Sequence, residues 1–324
     1  MSVTTTEPGD GGLLAAARGG DGEAFRLLLA PHLRLLHVHC YRMLGSYQDA
    51  EDAVQDTLLR AWKALDTYEG RAPLRHWLYR ISTTTCLKVL EGRARQPATI
   101  EEVEHLEPYP DRLLDQLPRD GDPAAEAERR ESVSLAFVAA LQTLPATQNA
   151  VVILRDVVGW SAAEVAQLLD TSVPAVNSAL QRARETLRTV LPEAPHRPLA
   201  SQEQAVVTGF VQAWNRRDID ALAALLREDV VMRMPPEQFE YAGRQTISDF
   251  FATVPAQGRL ETRPLTVTRA NGQLAVMAVG ADAHGRRRPY GLMVLTVVDG
   301  GIATIIGFPS EGESLVLDAF GLAD

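Results

Sequence analysis

Metal-binding residue types stand together at one place, where HVHC puts His37, His39 and Cys40 within four positions. The surrounding sequence has the apolar spacing of a helix, and neighbouring residues of a helix point about 100° apart. Such neighbours do not converge on one ion, whereas a zinc site needs its ligands at the corners of a tetrahedron. The sequence also has no glycine-rich phosphate loop, nucleophile elbow or zinc-protease motif. We therefore predict no metal and no cofactor.

The last third of the chain contains acids and a histidine that could transfer protons, namely Asp218, Asp220, Asp249 and His284. Their spacing picks out no acid–base pair, so we predict that the protein is not an enzyme and favour ligand sensing over catalysis in this segment. Large apolar side chains nearby are candidates for lining a ligand pocket, although such residues more often form plain core. They are Trp214, Met232, Met234, Phe239, Tyr241 and Phe308.

Carboxylates crowd the first two turns of the helix predicted from DAEDAVQDTLLRAW, residues 49–62. The apolar residues of this stretch form one stripe, and the acids lie around the rest of the cylinder near the positive end of the helix dipole. Taken alone, these residues fit a solvated acidic surface and a contact face equally well. The candidate contact residues are Asp49, Glu51, Asp52, Gln55 and Asp56.

Basic and aromatic residues follow that helix. Residues 60–95 carry eight lysines and arginines against three acids, while residues 101–131 are strongly acidic. Aromatic and arginine side chains together can hold an unstacked base and a displaced DNA strand. Trp77 fits a core position equally well. The candidate contact residues are Tyr68, Arg71, Arg75, Trp77, Arg80 and Thr84.

Two short helical patterns, WSAAEVAQLLD and VPAVNSALQRARETLRTVL, are joined by the turn TS. Ala166 fits the close-approach position and Val176 the anchoring position of a helix-turn-helix. Polar residues on the second helix could read base edges or bind phosphates, and a surface helix with solvated arginines is the alternative. The candidates are Ser172, Pro174, Asn177, Ser178, Arg182, Arg184 and Arg188.

Length and composition limit the class of protein. The 324 residues are 46% hydrophobic and 23% charged, which is typical of soluble globular domains, and the chain is long enough for two or three of them. The net charge of −10 argues against a non-specific nucleic-acid coat, so any DNA contact must use local basic surfaces. Without a membrane-length apolar run or a signal peptide, and with only two cysteines, we predict a cytoplasmic protein with buried free thiols and no membrane contact.

The pattern along the chain predicts a multidomain protein with two all-α domains and a carboxyl-terminal α+β domain. A flexible amino terminus covers 1–21, a helical domain 22–95, and an acidic, proline-containing linker 96–128. A helix-turn-helix domain covers 129–192, a short linker 193–200, and the α+β domain 201–324. Within the long linker, YPDRLLDQL is a candidate for a short docked turn.

These segments resemble a known family, the extracytoplasmic-function (ECF) sigma factors of bacterial RNA polymerase. YQDAEDAVQDTLLRAWKALDTYEGRAPLRHWLYRIS is similar to sigma region 2, and LPATQNAVVILRDVVGWSAAEVAQLLDTSVPAVNSALQRARETL is similar to region 4. AWNRRDIDALAALLREDVVMRMPP, RANGQLAV and the terminal FGLAD resemble the SnoaL-like, ketosteroid-isomerase-like cone that some actinobacterial sigma factors carry. Within the family, the resemblance points to the subgroup of mycobacterial sigma factor G.

The resemblance implies partners for each group of residues. The acidic helix would bind the β′ clamp helices of core RNA polymerase, and region 4 would bind the β flap. The aromatic and basic residues would handle the −10 promoter element, and the helix-turn-helix the −35 element. The acidic linker would enter the polymerase or fold back on the basic domain. The third domain would regulate initiation, through a small-molecule ligand or an intramolecular contact.

The sequence departs from the family at several positions. In ISTTTCLKVLEGRAR, Thr84 replaces an asparagine, Lys88 an aspartate and Glu91 an arginine, which puts promoter opening in doubt. Gln148 and Asn149 stand where the family often has a basic pair, which weakens one possible phosphate contact. Two alternatives stay open: a ketosteroid-isomerase-type enzyme with a DNA-binding tether, and a helix-turn-helix regulator independent of polymerase.

Overall fold

The computed structural model describes residues 10–93, 99, 103, 105–117, 132–191, 200–281, 284–310 and 314–321. These residues form two compact units. One comprises the described residues up to 98 together with those of 116–119 and 138–190. The other comprises the described residues of 99–115, 120–137 and 191–324. The two helical segments predicted as separate domains thus share one unit, and described linker residues belong to both units.

The first helical block of unit one contains α1 (Asp10–Arg18), α2 (Gly22–Leu44), α3 (Tyr47–Ala64) and α4 (Leu74–Gly92), with a 3-10 turn at Leu65–Thr67. Ser46 caps α3, since its hydroxyl accepts from the backbone N–H of Asp49 at 3.0 Å. Helix α1 is an unpredicted element within the segment expected to be flexible. Its Leu13, Leu14 and Ala17 pack against α2 residues and Trp77, so burial of an apolar face holds it in place.

The second helical block follows the linker. After α5 (Asp111–Leu114), a single turn of linker, the chain forms α6 (Leu135–Gln142), α7 (Ala146–Val152) with a π-helical extension at Ile153–Val157, α8 (Ala162–Leu168) and α9 (Val173–Val190). A capping box at Ser161 and Glu164 starts α8. Ala166 and Val176 are both buried, which confirms their predicted places in the helix-turn-helix.

The carboxyl-terminal domain of unit two has helices first and then a sheet, as the sequence predicts. Its elements are α10 (Ala200–Asn215), α11 (Ile219–Leu225), β1 (Leu226–Met234), β2 (Glu237–Ala242), α12 (Arg244–Thr253), β3 (Leu265–Ala270), β4 (Gln273–Ala281), β5 (Arg287–Val298), β6 (Gly301–Pro309) and α13 (Leu315–Asp318). The six strands lie in the order β2-β1-β6-β5-β4-β3, with β1 and β6 parallel. The first strand of the domain, β1, thus lies beside the last strand, β6, and runs parallel to it. The sheet is therefore mixed and is not a simple antiparallel meander.

Two tight hairpin turns organise the sheet. Asn271-Gly272 joins β3 to β4 and Asp299-Gly300 joins β5 to β6, and all four residues have positive φ. Two-residue turns of this composition match the twist of antiparallel strands. Asn-Gly and Asp-Gly are the dipeptides that favour such turns, so the local sequence accounts for both.

Candidate nucleic-acid interface

The acidic face of α3 is partly engaged within the first helical block. An Asp49 oxygen lies 2.7 Å from Arg93 Nη2, and Glu51 Oε2 lies 3.1 Å from His37 Nε2. The bond with His37 lowers the pKa of Glu51 against the opposing effect of burial. Asp52, Gln55 and Asp56 are exposed beside Leu59, whose side chain is 60% exposed. Exposed acidic and amide side chains therefore surround an exposed leucine on this part of α3.

The aromatic and basic candidates lie at the start and along the outer side of α4. Tyr68 and Trp77 have ring centroids 5.3 Å apart, and the Tyr68 hydroxyl donates to the carbonyl of Ala72 at 2.8 Å. Both rings are half-buried, so Trp77 combines a packing role with an accessible edge. The cations and the threonine of this group are exposed, namely Arg71, Arg75, Arg80 and Thr84.

The second helix of the helix-turn-helix presents all seven predicted residues to solvent. The Ser172 hydroxyl accepts from the backbone N–H of Ala175 and so caps the helix, while Pro174 occupies the first turn. Arg184 makes a two-point ion pair with Asp156, through bonds of 2.9 and 2.6 Å. Arg182 makes no ion pair with any residue that the structure describes, and it is therefore the more available cation of the two.

The two helical blocks meet at the carboxyl end of α2, where carbonyls lack partners within the helix. Gln142 Nε2 donates to the Arg42 carbonyl at 3.2 Å, and Asn149 Nδ2 donates to the Met43 carbonyl at 3.2 Å. Asn149 also donates to Leu141 of its own block at 3.1 Å and is buried. Asn149, which stands where the family often has a basic residue, therefore turns its side chain into the protein interior.

A second contact between the blocks involves rings of α4 and the loop before α8. The rings of His76 and Trp160 have centroids 4.4 Å apart and planes inclined by 31°. His76 Nδ1 lies 3.9 Å from Glu164 Oε1, and burial lowers the pKa of His76 against the attraction of Glu164. The helix pair α8–α9 and helix α4 are thus held together in a closed arrangement.

In unit two, the described linker segment is bound by the β3–β4 turn. The backbone N–H of Tyr109 donates to Asn271 Oδ1 at 2.7 Å, and the N–H of Asn271 donates to the Tyr109 carbonyl at 2.9 Å. Asn271 Nδ2 also donates to the Val133 carbonyl at 2.6 Å. Tyr109 and Asn271 are both fully buried. One side chain therefore joins two points of the segment between the helical blocks to the carboxyl-terminal domain.

Asp111 extends this linker clamp, which we define as Tyr109, Asp111, Asn271 and their bonded neighbours. Its carboxylate accepts from the Gly272 N–H at 2.8 Å and from Arg269 Nε at 3.1 Å. Burial nevertheless raises the pKa of Asp111, against the lowering effect of these donors. The short docked turn predicted within YPDRLLDQL corresponds to α5, which begins at Asp111.

The six residues predicted to line a pocket do not share one environment. Trp214 and Met232 belong to the packed core of the carboxyl-terminal domain, Phe308 is buried, and Phe239 is 60% exposed. Met234 and Tyr241 are half-buried. The described cleft in this domain has a different lining, formed by residues of the segment 254–263 and by Tyr290. No carboxylate or imidazole belongs to that lining, and Asp218 instead caps α11 while Asp249 accepts from Gln245.

The histidines and the cysteine of the HVHC stretch are all buried. His39 Nε2 lies 2.9 Å from Thr83 Oγ1, and Cys40 is buried and free, as is Cys86. Across the described residues, no group of three potential ligands is placed to hold a metal ion. Among the helices in the ranges given above, none is long and apolar enough to cross a membrane.

Three family models match the chain in order. Sigma-70 region 2 matches residues 28–96, Sigma-70 region 4 matches residues 134–187, and the SnoaL-like domain matches residues 207–305. The ECF RNA polymerase sigma factor SigG of Mycobacterium tuberculosis is 40% identical over 332 residues, covering 96% of this chain and 86% of the relative. SigM of the same species is 31% identical over 186 residues, covering 57% of this chain and 86% of that relative.

A solved structure shares the fold along most of the chain. The crystal structure of the Mycobacterium tuberculosis ECF sigma factor SigJ has a TM-score of 0.56 and 22% sequence identity, covering 90% of this chain and 96% of that one. Sigma regions 2 and 4, in this order along one chain, identify the class of protein as a transcription initiation factor. The chain belongs to the ECF RNA polymerase sigma factors and carries a carboxyl-terminal SnoaL-like domain. The family and fold class predicted from the sequence are thereby confirmed.

Sequence patterns missed the residues that join the domains. Gln142 and Asn149 lie among helical residues of ordinary polarity, and their acceptors are about 100 positions away. In the sequence, Asn271 is marked only by the glycine that follows it, as the first residue of an Asn-Gly turn. A short polar residue followed by glycine predicts the turn itself. It does not predict what the asparagine side chain binds.

Proposed function

We propose that this sigma factor directs core RNA polymerase to promoters with −10 and −35 elements, and that its SnoaL-like domain regulates this activity by binding the linker between regions 2 and 4. The single observation that supports the regulatory part is the linker clamp, with Asn271 at its centre. The proposal places the protein in the cytoplasm and assigns it no chemical reaction.

Exposure separates the predicted contact residues into those available to a partner and those that stabilise the domain itself. On α3, Asp52, Gln55 and Asp56 face solvent and are available to the β′ clamp helices, whereas Asp49 and Glu51 mainly stabilise region 2. On α9, Asn177, Ser178 and Arg182 are available to the −35 major groove, with Ser172 and Pro174 fixing the helix start. Arg188 is available to the DNA backbone, and region 4 has the β flap as its polymerase partner.

The closed arrangement of regions 2 and 4 is incompatible with both promoter contacts at once. By their names, the −10 and −35 elements lie about 25 base pairs apart, which is about 85 Å of DNA at about 3.4 Å per base pair. In the closed arrangement His76 of region 2 stacks directly on Trp160 of region 4. Regions 2 and 4 must therefore separate when the factor binds polymerase and promoter, and the linker between them must become available. A clamp on the linker opposes this step.

Replacing Asn271 with glycine tests the regulatory proposal. Glycine keeps the left-handed backbone (φ 56°) and removes the side-chain bonds to Tyr109 and Val133. Asp299→Gly is the matched control, because Asp299 has φ 51° in the equivalent β5–β6 turn and, among the residues that the structure describes, its side chain bonds only Arg227. We expect run-off transcription with core polymerase to rise several-fold in Asn271→Gly and to stay unchanged in the control.

Each outcome of this experiment decides one part of the proposal. Equal transcription by Asn271→Gly and wild type contradicts regulation through the clamp. A fall indicates that the domain assists initiation rather than restraining it. No transcript and no core polymerase binding by any variant contradicts the initiation role. That last result would favour the helix-turn-helix regulator, and conversion of a small molecule would favour the enzyme.

A further inference from the structure

The SnoaL-like domain has a cleft that opens to solvent. Its volume is about 480 Å³, which falls in the range of small-molecule sites. The lining combines apolar surface from Val254 and Ala256 with the ring of Tyr290 and two cations, Arg259 and Arg263. These two arginines make the cleft locally positive in a chain whose net charge is −10.

The guanidinium of Arg263 is held in place from several sides. It lies over the Tyr290 ring, 5.0 Å from the centroid, and its Nη1 donates to the Thr262 carbonyl at 3.0 Å. The Nε atom is buried without a hydrogen-bond partner among the described residues. The Arg263 carbonyl accepts from Trp214 Nε1 at 3.0 Å, which fixes the backbone from the domain core. This arginine is therefore preorganised before any ligand arrives.

Gly280 makes room for that guanidinium. A Cβ atom at this position of β4 would lie 2.7 Å from Arg263 Nε and 2.9 Å from Cζ. The strand thus leaves space for an arginine side chain instead of filling its own position. A substitution of Gly280 by alanine would therefore displace the Arg263 guanidinium while the arginine itself stays in the chain.

The opposite wall is a strained turn that the fold maintains. Ala256 and Gln257 have φ of 51° and 57°, which side-chain-bearing residues adopt at a cost of about 1 kcal/mol or more each. Gly258 follows at φ 75°, where a Cβ atom would lie 2.2 Å from the Ala252 carbonyl oxygen. The Ala256 N–H donates to the Tyr290 hydroxyl at 3.2 Å, so the same tyrosine supports both the turn and Arg263.

Neither Arg259 nor Arg263 pairs with a carboxylate in the part of the chain that the structure describes. An arginine cluster without acids recognises anions, and its planar groups suit carboxylates in particular. The apolar wall and the tyrosine ring add contact area for a hydrophobic body. We propose that this cleft binds a small organic anion, an aromatic carboxylate whose charged end meets Arg263 and Arg259. This site is independent of the proposed linker regulation.

The test is a calorimetric titration of the full-length protein with 2-naphthoate, and with its neutral analogue 2-naphthamide and inorganic phosphate as comparison probes. We expect saturable binding of 2-naphthoate, at least tenfold weaker binding of 2-naphthamide, and weaker binding of phosphate. Arg263→Gln and Arg259→Gln should each weaken 2-naphthoate binding at least tenfold. Gly280→Ala should weaken it as well, because its methyl group displaces the guanidinium. Arg216→Gln, which changes an exposed arginine of the same domain outside the cleft, should bind as wild type does.

Circular dichroism of each variant shows whether the fold is kept, and Gly280→Ala and Arg259→Gln carry the test if Arg263→Gln unfolds. The proposal is overturned if wild type does not bind 2-naphthoate at millimolar concentration, or if folded arginine variants bind it as tightly as wild type. Equal affinity for 2-naphthamide would show that the charge is not recognised. Tighter binding of phosphate would overturn the assignment of an aromatic carboxylate.

Discussion

Asn149 of region 4 donates a hydrogen bond to the Met43 carbonyl of region 2 across 3.2 Å, at a site where both residues are buried. The bond satisfies a carbonyl that the end of α2 leaves without a helical partner. The same amide donates to the Leu141 carbonyl at 3.1 Å, so its nitrogen donates to two carbonyl oxygens on different segments. A buried donor serving two carbonyls is costly to remove.

The first prediction replaces this donor with an acceptor. Asn149→Asp places a carboxylate oxygen against the two carbonyls, and we expect the free energy of unfolding to fall by at least about 2 kcal/mol. Urea unfolding followed by circular dichroism measures the change. The control is Gln148→Glu, the same amide-to-acid change at a half-buried neighbouring position. Equal stability of the two variants would contradict the structural role of Asn149.

The second prediction concerns the ring contact between His76 and Trp160. A stacked pair contributes about 1 kcal/mol beyond its buried area, so His76→Ala should raise the ratio of open to closed molecules about fivefold. Fluorescence energy transfer between labels at Thr84 and Gln181 measures the separation of regions 2 and 4. Both positions are exposed, and the natural cysteines are buried.

His284→Ala is the control for this experiment, because His284 is exposed in the SnoaL-like domain. An unchanged distance distribution in His76→Ala, with equal transcription, would mean that the ring contact does not hold the closed arrangement.

Local patterns predicted most of the individual elements but few of their associations. The capping serine Ser46 and the apolar stripe of α3 depend on neighbours a few positions away, so the sequence indicates them directly. β2 was missed because its residues are mostly polar and it follows two prolines, which weakens any strand signal. α1 was missed because it is short and gains its stability from packing on α2.

The functional associations depend on residues far apart in the chain. Arg184 looked like a DNA contact because its helix position is exposed, and its ion pair with Asp156 becomes visible only when the helices are packed. The bonds of Asn271 join residues separated by 162 and 138 positions. Polar residue types indicate that a side chain can donate or accept, whereas the tertiary fold decides which partner is within reach.

The third prediction follows from the buried histidine of α2. Burial lowers the pKa of His39 to about 3, with a smaller effect of Arg42, so the native protein keeps this ring neutral. An unfolded histidine binds a proton below about pH 6.5. The unfolded state therefore gains protons that the folded state does not, and stability falls as the pH drops below about 6.5. By pH 5 the loss is on the order of 2 kcal/mol.

Amide hydrogen exchange of α2 at pH 7, 6 and 5 measures this loss after correction for the intrinsic exchange rate. His39→Gln should reduce the pH dependence, because glutamine has no proton to bind in this range. His284→Gln should keep it, since His284 is exposed. The same pH slope in His39→Gln and wild type would contradict the assignment.

The fourth prediction distinguishes the two arginines of the −35 helix. Arg182 is exposed and without an ion pair among the described residues, whereas Arg184 is bound at two points by Asp156. A cation that contacts DNA releases a counterion, so losing it lowers both affinity and salt dependence. We expect Arg182→Ala to weaken promoter binding by holoenzyme about tenfold and to reduce the salt slope by about 1. Arg184→Ala should weaken binding less, because part of its charge is already neutralised.

Asp156→Asn should strengthen binding, since it frees Arg184 for phosphate. Fluorescence anisotropy with labelled promoter DNA at several salt concentrations measures all three variants, and a larger loss in Arg184→Ala than in Arg182→Ala would contradict this ranking.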